Sequence, residues 1–440
     1  MWTREPSLCP KRWKMKNNIK FVHCSDIHLG ANPFGIEERF EDMGNALKQV
    51  FQFAIDEKVD FVLIAGDFFH NKQLEPKTLE QAINLLEILK KENILVFLTE
   101  GNHDMPNYAT TYGWLQFLSS KGYIHLLKPI KNEEKKYLQE WNGNVGSYYE
   151  LEDTIIVGLG YPGSTAHKYI QKYTEEIKII RKENKDKNII VMLHTGINRF
   201  LTESMAGLKE EEIYDLIEQI DYLALGHIHT RYENVEKKYF NPGSLECVRI
   251  SDNPFEKGFY FVEIKNEKLE TNFKTIQNRN SLRIELDIKK LNKEKFQDEI
   301  LEKITEEYTN IKTKEKIMLQ LKLTGNAQIN TYQINQNELA EAIKQKLPIL
   351  HLEIVNEINY QDEEEIMLQE YTSREEIDRA VLKDKIQKAG FEGNEEEVFS
   401  IIDKIKEYCH EEAILLDSSK GEDIENMLLE FVEEGKYENK

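Results

Sequence analysis

The chain has 440 residues, of which 40% are hydrophobic, and carries 79 Asp and Glu against 58 Lys and Arg, a formal net charge of −21. This length and composition allow a sizeable core in two or three domains, which excludes a fully disordered chain. The sequence contains no apolar run near the ~20 residues of a membrane-spanning helix, and no apolar stretch of a secretory signal follows its basic start. We therefore expect a cytoplasmic protein without membrane association.

The negative charge is concentrated at one end of the chain. Residues 1–280 sum to −5, residues 281–360 to −1 and residues 361–440 to −15. A protein that binds nucleic acid through its own surface usually presents Lys and Arg to the phosphates. The charge therefore argues against such binding chiefly for the last segment.

From residue 15 onward, short apolar runs alternate with amphipathic segments, which is the pattern of an α/β layered sheet. A helix is predicted over 76–90, where apolar residues recur at helical spacing and Pro76 occupies the first turn. Strands are predicted at 19–23, 61–64, 94–98, 155–159, 189–193 and 222–225.

Around residue 281 the pattern changes to a β-α-β-α-β unit, which predicts a separate small α+β domain. Its strands are predicted at 281–288, 317–323 and 349–355, and its helices at 295–308 and 337–346. The expected division of the chain is an N-terminal extension without function (1–14), an α/β domain (15–280), the small domain (281–360) and an acidic helical region (361–440).

Polar clusters follow five of the predicted strands, at the strand ends where open α/β sheets bind ligands. A single fragment of this kind is more often an ordinary turn, but five in one chain, each at a strand end, argue against chance. The sequence therefore predicts one composite site. The clusters are SDIH at 25–28, GDFFH at 66–70, GNHD at 101–104, His194, and GHIH at 226–229.

The side chains in these clusters are typical metal ligands. They offer carboxylate, imidazole and one amide oxygen without a thiolate, a mixture that favours Mn²⁺ and leaves Mg²⁺, Fe²⁺ and Zn²⁺ open. So many donors exceed the need of one tetrahedral ion and suit two divalent ions that share a carboxylate and clamp a phosphate. The candidate ligands are Asp26, His28, Asp67, Asn102, His194, His227 and His229.

The series DIH, GDFFH, GNHD, LHTGI and GHIHTRYE resembles the calcineurin-like metallophosphoesterases over roughly residues 19–264. Within them it is similar to the DNA repair exonuclease branch, the SbcD-like and YhaO-like nuclease subunits, because of GDFFHNKQLEPKTLEQAI and YFNPGSLE. The resemblance implies a layered α/β sandwich, sheets flanked by helices, followed by a small α+β capping domain and the acidic helical region.

The resemblance also implies how the ligands divide between two ions, with Asp67 as the bridge. The first ion would be held by Asp26, His28, Asp67 and His229. The second ion would be held by Asp67, Asn102, His194 and His227.

Three further residues acquire catalytic roles from the resemblance. His103 would face the scissile phosphate, where it would stabilise developing charge or protonate the leaving oxygen, and Asp104 would orient it. An imidazole is suited to acid catalysis at cellular pH. His70 would help to seat the phosphate for exonuclease action. Elsewhere, we expect His23 to be a buried structural residue, and Arg231 and Tyr232 are possible DNA contacts.

The activity implied is Mn²⁺-dependent hydrolysis of DNA, as a 3′–5′ exonuclease on duplex ends and as an endonuclease on single strands, in DNA repair. The implied partners are DNA, an SbcC/Rad50-like coiled-coil ATPase and a second copy of the chain. An apolar stripe from Ile424 to Val432 on the acidic region suits docking onto that ATPase, and a self-packed bundle is the alternative.

Two other functions stay open. One is a metallophosphoesterase for small phosphodiesters or phosphoproteins, although Ser/Thr phosphatases usually carry GDxxDR and GNHE where this chain has GDFFH and GNHD. The other is a non-catalytic scaffold for the ATPase.

Overall fold

Two six-stranded sheets pack face to face in the computed structural model, each covered by helices on its outer side. The structure describes residues 18–360 except 107–111, 135, 201–206, 249, 251–255, 267, 289–295, 314 and 328–335. The expected N-terminal extension and the acidic region, with its apolar stripe, therefore lie outside the described residues. In the described ranges, no helix combines the length and hydropathy that a bilayer span requires.

The strands in chain order are β1 (Asn18–Cys24), β2 (Phe61–Ile64), β3 (Leu95–Leu98), β4 (His125–Leu126), β5 (Tyr148–Leu151), β6 (Thr154–Gly158), β7 (Asn188–Leu193), β8 (Tyr222–Leu225), β9 (Tyr232–Asn234), β10 (Tyr239–Asn241), β11 (Gly258–Lys265), β12 (Lys268–Thr275), β13 (Ser281–Asp287), β14 (Ile317–Ala327) and β15 (Ile349–Tyr360). The α-helices are α1 (Glu37–Asp56), α2 (Pro76–Lys91), α3 (Trp114–Ser120), α4 (Ala166–Glu183), α5 (Tyr214–Ile217), α6 (Phe296–Ile311) and α7 (Gln336–Lys346). Short 3-10 turns lie at Pro33–Gly35, Gly163–Thr165, Asn198–Phe200 and Glu210–Ile213.

The first sheet has the order β12-β11-β1-β2-β3-β4 and the second β5-β6-β7-β8-β10-β9. Strands β1 to β4 run parallel, as do β6, β7, β8 and β10. The antiparallel strands are β11 and β12 at one edge of the first sheet and β5 and β9 at the two edges of the second. The carboxyl ends of the parallel strands in each sheet therefore share one edge.

The continuous apolar character of the central strands follows from this packing, since both faces of each strand are covered. In β2, Val62 and Ile64 pack in the core beneath α1 and α2, whereas Phe61 and Leu63 pack between the two sheets. In β7, Ile189 and its alternate neighbours pack against α4 in the same way.

The predicted elements are confirmed. The six strands predicted in the α/β domain and the helix predicted over 76–90 are found within about one residue of their expected ends, and the sandwich implied by the resemblance is present. The small unit is also a β-α-β-α-β arrangement, with its three strands in the order β13-β14-β15. Within the described residues, 18–324 and 336–357 belong to one compact unit. A domain boundary at residue 280 stays a prediction.

Two contacts join the small unit to the loop and helix that follow β1. The guanidinium of Arg279, just before β13, donates to both carboxylate oxygens of Asp42 on α1, at 2.6 and 2.8 Å, and to the carbonyl oxygen of Lys316 in the small unit, at 3.0 Å. The ring of His351 on β15 stacks on Phe34, with centroids 3.8 Å apart. The small unit is thus attached close to the loop that carries the first predicted ligands.

Candidate metal centre

The loops that carry the predicted ligands meet because their strands are parallel neighbours. The loops after β1, β2 and β3 lie at one edge of the first sheet, and those after β7 and β8 at one edge of the second. Main-chain bonds tie the first two loops together, since the amides of Asp26 and His28 donate to the carbonyl oxygens of Gly66 and Asp67 at 3.1 and 3.0 Å. The strand ends thus place distant segments in one site.

Four of the predicted ligands have left-handed backbone conformations, which non-glycine residues rarely adopt. The φ angles are 52° at Asp26, 54° at His28, 52° at Asp67 and 84° at His227. Each such residue costs about 1–3 kcal/mol, and strain of this kind clusters at functional sites. The surrounding fold therefore holds these side chains in positions that the local chain does not prefer.

The side chains of the first predicted ligand set converge. One ligand atom each of Asp26, His28 and His229 lies within 4.8 Å of the other two. The Nε2 atoms of His28 and His229 are 3.1 Å apart. Asp26 is held by the amide of His227, which donates to both of its carboxylate oxygens at 3.0 Å.

The second predicted set converges in the same way. Ligand atoms of Asp67, His194 and His227 lie within 4.8 Å of one another. The Oδ1 of Asn102 completes the set, at 3.0 Å from the Nδ1 of His227 and 3.3 Å from the Nε2 of His194. The structure therefore brings together the residues that the resemblance assigns to the second ion.

Asp67 lies between the two sets. Its Oδ2 is 3.3 Å from the Nε2 of His194 and 3.8 Å from the Nε2 of His28. Its Oδ1 accepts the main-chain N–H of His103 at 2.9 Å, which fixes the rotation of the carboxylate. One oxygen of Asp67 therefore faces imidazole nitrogens of both sets.

The hydrogen bonding of His194 shows that this donor set fits a cation. Its Nδ1 lies 2.7 Å from the carbonyl oxygen of Ala65, and because a carbonyl only accepts, the ring donates there. In the neutral ring the lone pair of Nε2 then faces the Oδ2 of Asp67 and the Oδ1 of Asn102, which are also acceptors. Three acceptors that face one another need a positive charge among them, and a divalent ion meets that need.

The electrostatics of the protein alone agree with this reading. Burial lowers the pKa of His194, but the Asp67 carboxylate outweighs it and raises that pKa to about 9. Burial raises the pKa of Asp67, and the charge and hydrogen bond of His194 outweigh it and hold that pKa below its usual range. A proton on His194 thus takes the place that a metal cation would take.

His103 is oriented by a main-chain oxygen. Its Nδ1 lies 2.6 Å from the carbonyl oxygen of His70, so this ring nitrogen carries a proton and donates it to that oxygen. The ring also stacks on that of His70, with centroids 5.3 Å apart, and meets His28 edge-on at 4.9 Å.

The expectation that the Asp104 carboxylate orients His103 is corrected by this geometry. Asp104 is 7% exposed and its carboxylate accepts the main-chain N–H groups of Phe68, Phe69 and Gly101, at 3.2, 2.9 and 3.0 Å. Burial, and then the nearby charge of Asp67, raise its pKa to about 7 against those hydrogen bonds. Asp104 therefore joins the GDFFH and GNHD loops and acts on His103 only through the backbone.

His70 contacts the first ligand set through its side chain. Its Nδ1 lies 3.4 Å from the Nδ1 of His28, and the two rings meet edge-on. A hydrogen bond to the second nitrogen of a ligating imidazole fixes its tautomer. The seating of a phosphate by His70 stays a prediction.

The possible DNA contacts at Arg231 and Tyr232 are not supported. Tyr232 is 7% exposed, and its hydroxyl accepts the amide of Ile197 at 3.3 Å. The guanidinium of Arg231 donates to Tyr260 and Glu233 at 3.2 and 2.9 Å. The side chain of Tyr232 is thus committed to packing, and that of Arg231 joins β11 of the first sheet to β9 of the second.

Two residues near the site were missed from the sequence. The ring of Tyr161 lies 5.3 Å from that of His227 and 6.0 Å from that of His194. It follows β6, whose end carries no His or Asp. Its position directly after a strand was the one signal in the sequence that could have indicated it. Lys257 precedes β11 and donates to the carbonyl oxygen of His229 at 3.0 Å. Its sequence context, a lysine before a strand, gave no signal.

Comparison with known proteins agrees with this geometry. Residues 19–231 match the calcineurin-like phosphoesterase family. Residues 19–231 form a calcineurin-like phosphoesterase domain. All seven predicted ligands lie inside this phosphoesterase domain, the last being His229.

Similar proteins with the phosphoesterase domain include three archaeal proteins named DNA double-strand break repair protein Mre11. The one from Archaeoglobus fulgidus is 27% identical over 298 residues, which cover 67% of this chain and 65% of that protein. The one from Methanocaldococcus jannaschii is 29% identical, over 57% of this chain and 64% of that protein. The one from Sulfolobus acidocaldarius is 24% identical, over 71% and 76%. The chain thus spans slightly less than two thirds of the first two relatives.

Proposed function

We propose that this chain is a DNA repair nuclease that hydrolyses phosphodiester bonds with two divalent ions, of which Mn²⁺ is the best suited. The observation that carries the proposal is the position of Asp67, whose Oδ2 faces His194 in one donor set and His28 in the other. The names of the similar proteins support DNA break repair as the setting.

When bound, two divalent ions would polarise the phosphate and lower the pKa of the attacking water. The first would be held by Asp26, His28, Asp67 and His229. The second would be held by Asp67, Asn102, His194 and His227. The native metal is open among Mn²⁺, Mg²⁺, Fe²⁺ and Zn²⁺.

The protein itself would supply the proton that the reaction needs. Hydrolysis forms one P–O bond to the attacking water, which loses a proton, and breaks another P–O bond, whose leaving oxygen must gain a proton. While the carbonyl oxygen of His70 accepts the N–H of Nδ1, the imidazolium form of His103 would donate a second proton, from Nε2, to the leaving oxygen. The Asp104 carboxylate accepts main-chain amides of both the GDFFH and the GNHD loop and would hold the two loops together. His103 would thereby stay beside Asp67, whose carboxylate accepts its amide.

The charge of the phosphoesterase region supports a partner for DNA binding. Residues 1–280 sum to −5, and high affinity for a duplex requires Lys and Arg near its phosphates. We propose that an SbcC/Rad50-like coiled-coil ATPase grips the DNA and that the chain acts within a complex, as a homodimer. The small unit, attached near the first ligand loop through Phe34 and Asp42, would cap the site and shape the path of the DNA.

The test is cleavage of labelled DNA by the full chain, freed of metal and then supplied with Mn²⁺. A duplex with labelled 3′ ends and a single-stranded circle separate 3′–5′ exonuclease from endonuclease activity. Bis-p-nitrophenyl phosphate reports phosphodiesterase chemistry in general. The proposal predicts Mn²⁺-dependent cleavage of DNA that a chelator abolishes.

Two results would favour the other functions. Hydrolysis of bis-p-nitrophenyl phosphate without cleavage of either DNA would favour a phosphoesterase for small substrates. Binding of the ATPase without hydrolysis of any of the three substrates would favour a non-catalytic scaffold.

A further inference from the structure

Lys257 is a buried lysine whose ammonium group lies next to a predicted metal ligand. It is 5% exposed, and its Nζ donates to the carbonyl oxygen of His229 at 3.0 Å and to the Oγ of Ser244 at 2.9 Å. Burial of a charged group is costly unless hydrogen bonds compensate it. The contacts of this lysine are therefore the reason to look for its function.

The partners of Lys257 belong to a small network around the first donor set. Besides accepting from Lys257, the carbonyl of His229 accepts the main-chain N–H of Ser244 at 3.2 Å. Gly243 has a φ of 80°, and a Cβ at this position would lie 2.6 Å from the same carbonyl oxygen. The loop at 243–244 thus packs against the backbone of His229, and Lys257 is hydrogen-bonded to both.

The same network reaches the loop that carries Asp26. Ser25, its neighbour in sequence, forms a parallel bridge with Ser244, and its Oγ donates to the carbonyl oxygen of Gly243 at 3.4 Å. Asp26 and His229 come from strands in different sheets, and both belong to the first donor set. Residues 243–244, which Lys257 contacts, therefore also contact the backbone of His229 and the backbone at Ser25, next to Asp26.

We propose that Lys257 is a positioning residue for the first metal ion, which it acts on by fixing the backbone of His229 against Ser244. The inference rests on the proposed two-ion site and deepens it. Because none of the contacts of Lys257 involves Asn102, His194 or His227, its removal affects the first ion more than the second. Groups that orient a ligand typically change metal affinity about 10- to 100-fold when removed.

The test is the binding of Mn²⁺ to the metal-free full chain. Titration calorimetry measures the affinity of each ion, and electron paramagnetic resonance detects the spin-coupled pair of bound ions. In Lys257→Met we expect one of the two ions to bind about 10- to 100-fold more weakly, with loss of the spin-coupled signal while the second ion still binds. Ser244→Ala, which keeps the lysine, should shift the same ion in the same direction by a smaller factor. Lys238→Met is the matched control, because the Nζ of Lys238 donates to the carbonyl oxygen of Ile220, which is not part of this network.

Four outcomes are decisive. Unchanged affinities of both ions for Lys257→Met would overturn the inference. Equal weakening of the binding of both ions, together with a lower melting temperature than that of Lys238→Met, would also overturn it. If Lys257→Met fails to fold, unchanged binding of both ions by Ser244→Ala overturns it instead. Fewer than two ions in the unsubstituted chain would overturn the proposed function, and the inference with it.

Discussion

The Nδ1 of His103 lies 2.6 Å from the carbonyl oxygen of His70, and this contact joins the loop after β3 to the loop after β2. Because a carbonyl oxygen only accepts, the His103 ring donates from Nδ1, and Nε2 is the nitrogen that we propose acts on the substrate. The orienting group belongs to the main chain, so a change of the His70 side chain leaves it in place. The contributions of the two histidines can therefore be separated by substitution.

Replacement of His103 with Ala should abolish most hydrolysis without loss of metal. A positioned acid contributes about 10²- to 10⁴-fold to the rate, and the His103 side chain belongs to neither proposed ligand set. We expect the rate on DNA and on bis-p-nitrophenyl phosphate to fall by about that factor, with two Mn²⁺ still bound by calorimetry. Full activity in His103→Ala would exclude its role as the acid.

His70→Ala should reduce hydrolysis of bis-p-nitrophenyl phosphate less than His103→Ala does. The carbonyl oxygen that orients His103 remains, whereas the contact of the His70 ring with His28, at 3.4 Å, and its stacking on the His103 ring are lost. The comparison is made on the small substrate, since seating of a DNA phosphate by His70 would add an effect that is specific to DNA. Equal losses for the two variants on the small substrate would contradict this separation of roles.

Gly101→Ala should destabilise the fold and weaken metal binding. A Cβ at this position would collide with the side chain and the main-chain nitrogen of Asp67, which cannot both move without disturbing the shared carboxylate. Overpacking of this kind costs about 1–3 kcal/mol in the free energy of unfolding. The measurements are urea unfolding and Mn²⁺ titration.

Gly113→Ala is the control for that substitution. Its added Cβ would lie 3.5 Å from the nearest neighbour, Pro106, which is an ordinary contact distance. We expect two Mn²⁺ to bind to this variant as in the unsubstituted chain. Equal effects of the two glycine substitutions would show that the packing at Asp67 is not the cause.

The stability of the metal-free chain should depend on pH through His23. Burial lowers the pKa of His23 from 6.5 to about 3, against a hydrogen bond to the carbonyl oxygen of Leu225. Between these values the unfolded chain binds one proton more than the folded chain, so the free energy of unfolding rises with pH. The contribution of His23 is fully present above its unfolded pKa, 6.5, and is lost as pH falls toward its folded pKa, about 3, at up to about 1.4 kcal/mol per pH unit.

His23→Gln should remove this part of the slope, because the amide is polar but does not titrate. Tyr222→Phe, which removes the hydroxyl 2.9 Å from the Nδ1 of His23 and keeps the imidazole, should retain it. Urea unfolding in a chelating buffer at several pH values below about 7 measures the slopes. Equal slopes for His23→Gln and the unsubstituted chain would show that His23 is not the titrating group.

The strands and the convergence of the candidate ligands could be predicted because both depend on local sequence patterns. Apolar runs mark β2 and β7, and the polar residues directly after them, such as Asp67 and His194, are placed by the strand ends alone. A buried position was likewise expected for His23, which is fully buried between the sheets.

The contacts of Asp104 and Lys257 could not be predicted because they depend on tertiary packing. Which carbonyl oxygen an ammonium group meets, or which amides a carboxylate meets, is decided by loops that are distant in sequence. Asp104 lies beside His103 in the chain, yet its carboxylate turns toward the amides of Phe68 and Phe69. Lys257 and His229 are 28 residues apart, and neither the hydropathy nor the spacing relates them.

The central claim is that the Asp67 carboxylate serves two ions at once, and the number of Mn²⁺ bound per chain tests it most directly. Asp67→Asn keeps an oxygen to accept the amide of His103 but removes the charge that faces both donor sets. Asp56→Asn, at an exposed position of α1, is the control for loss of one carboxylate. We predict that the unsubstituted chain and Asp56→Asn each bind two Mn²⁺ and that Asp67→Asn binds both ions weakly. Two tightly bound ions in Asp67→Asn, or a single ion in the unsubstituted chain, would contradict the claim.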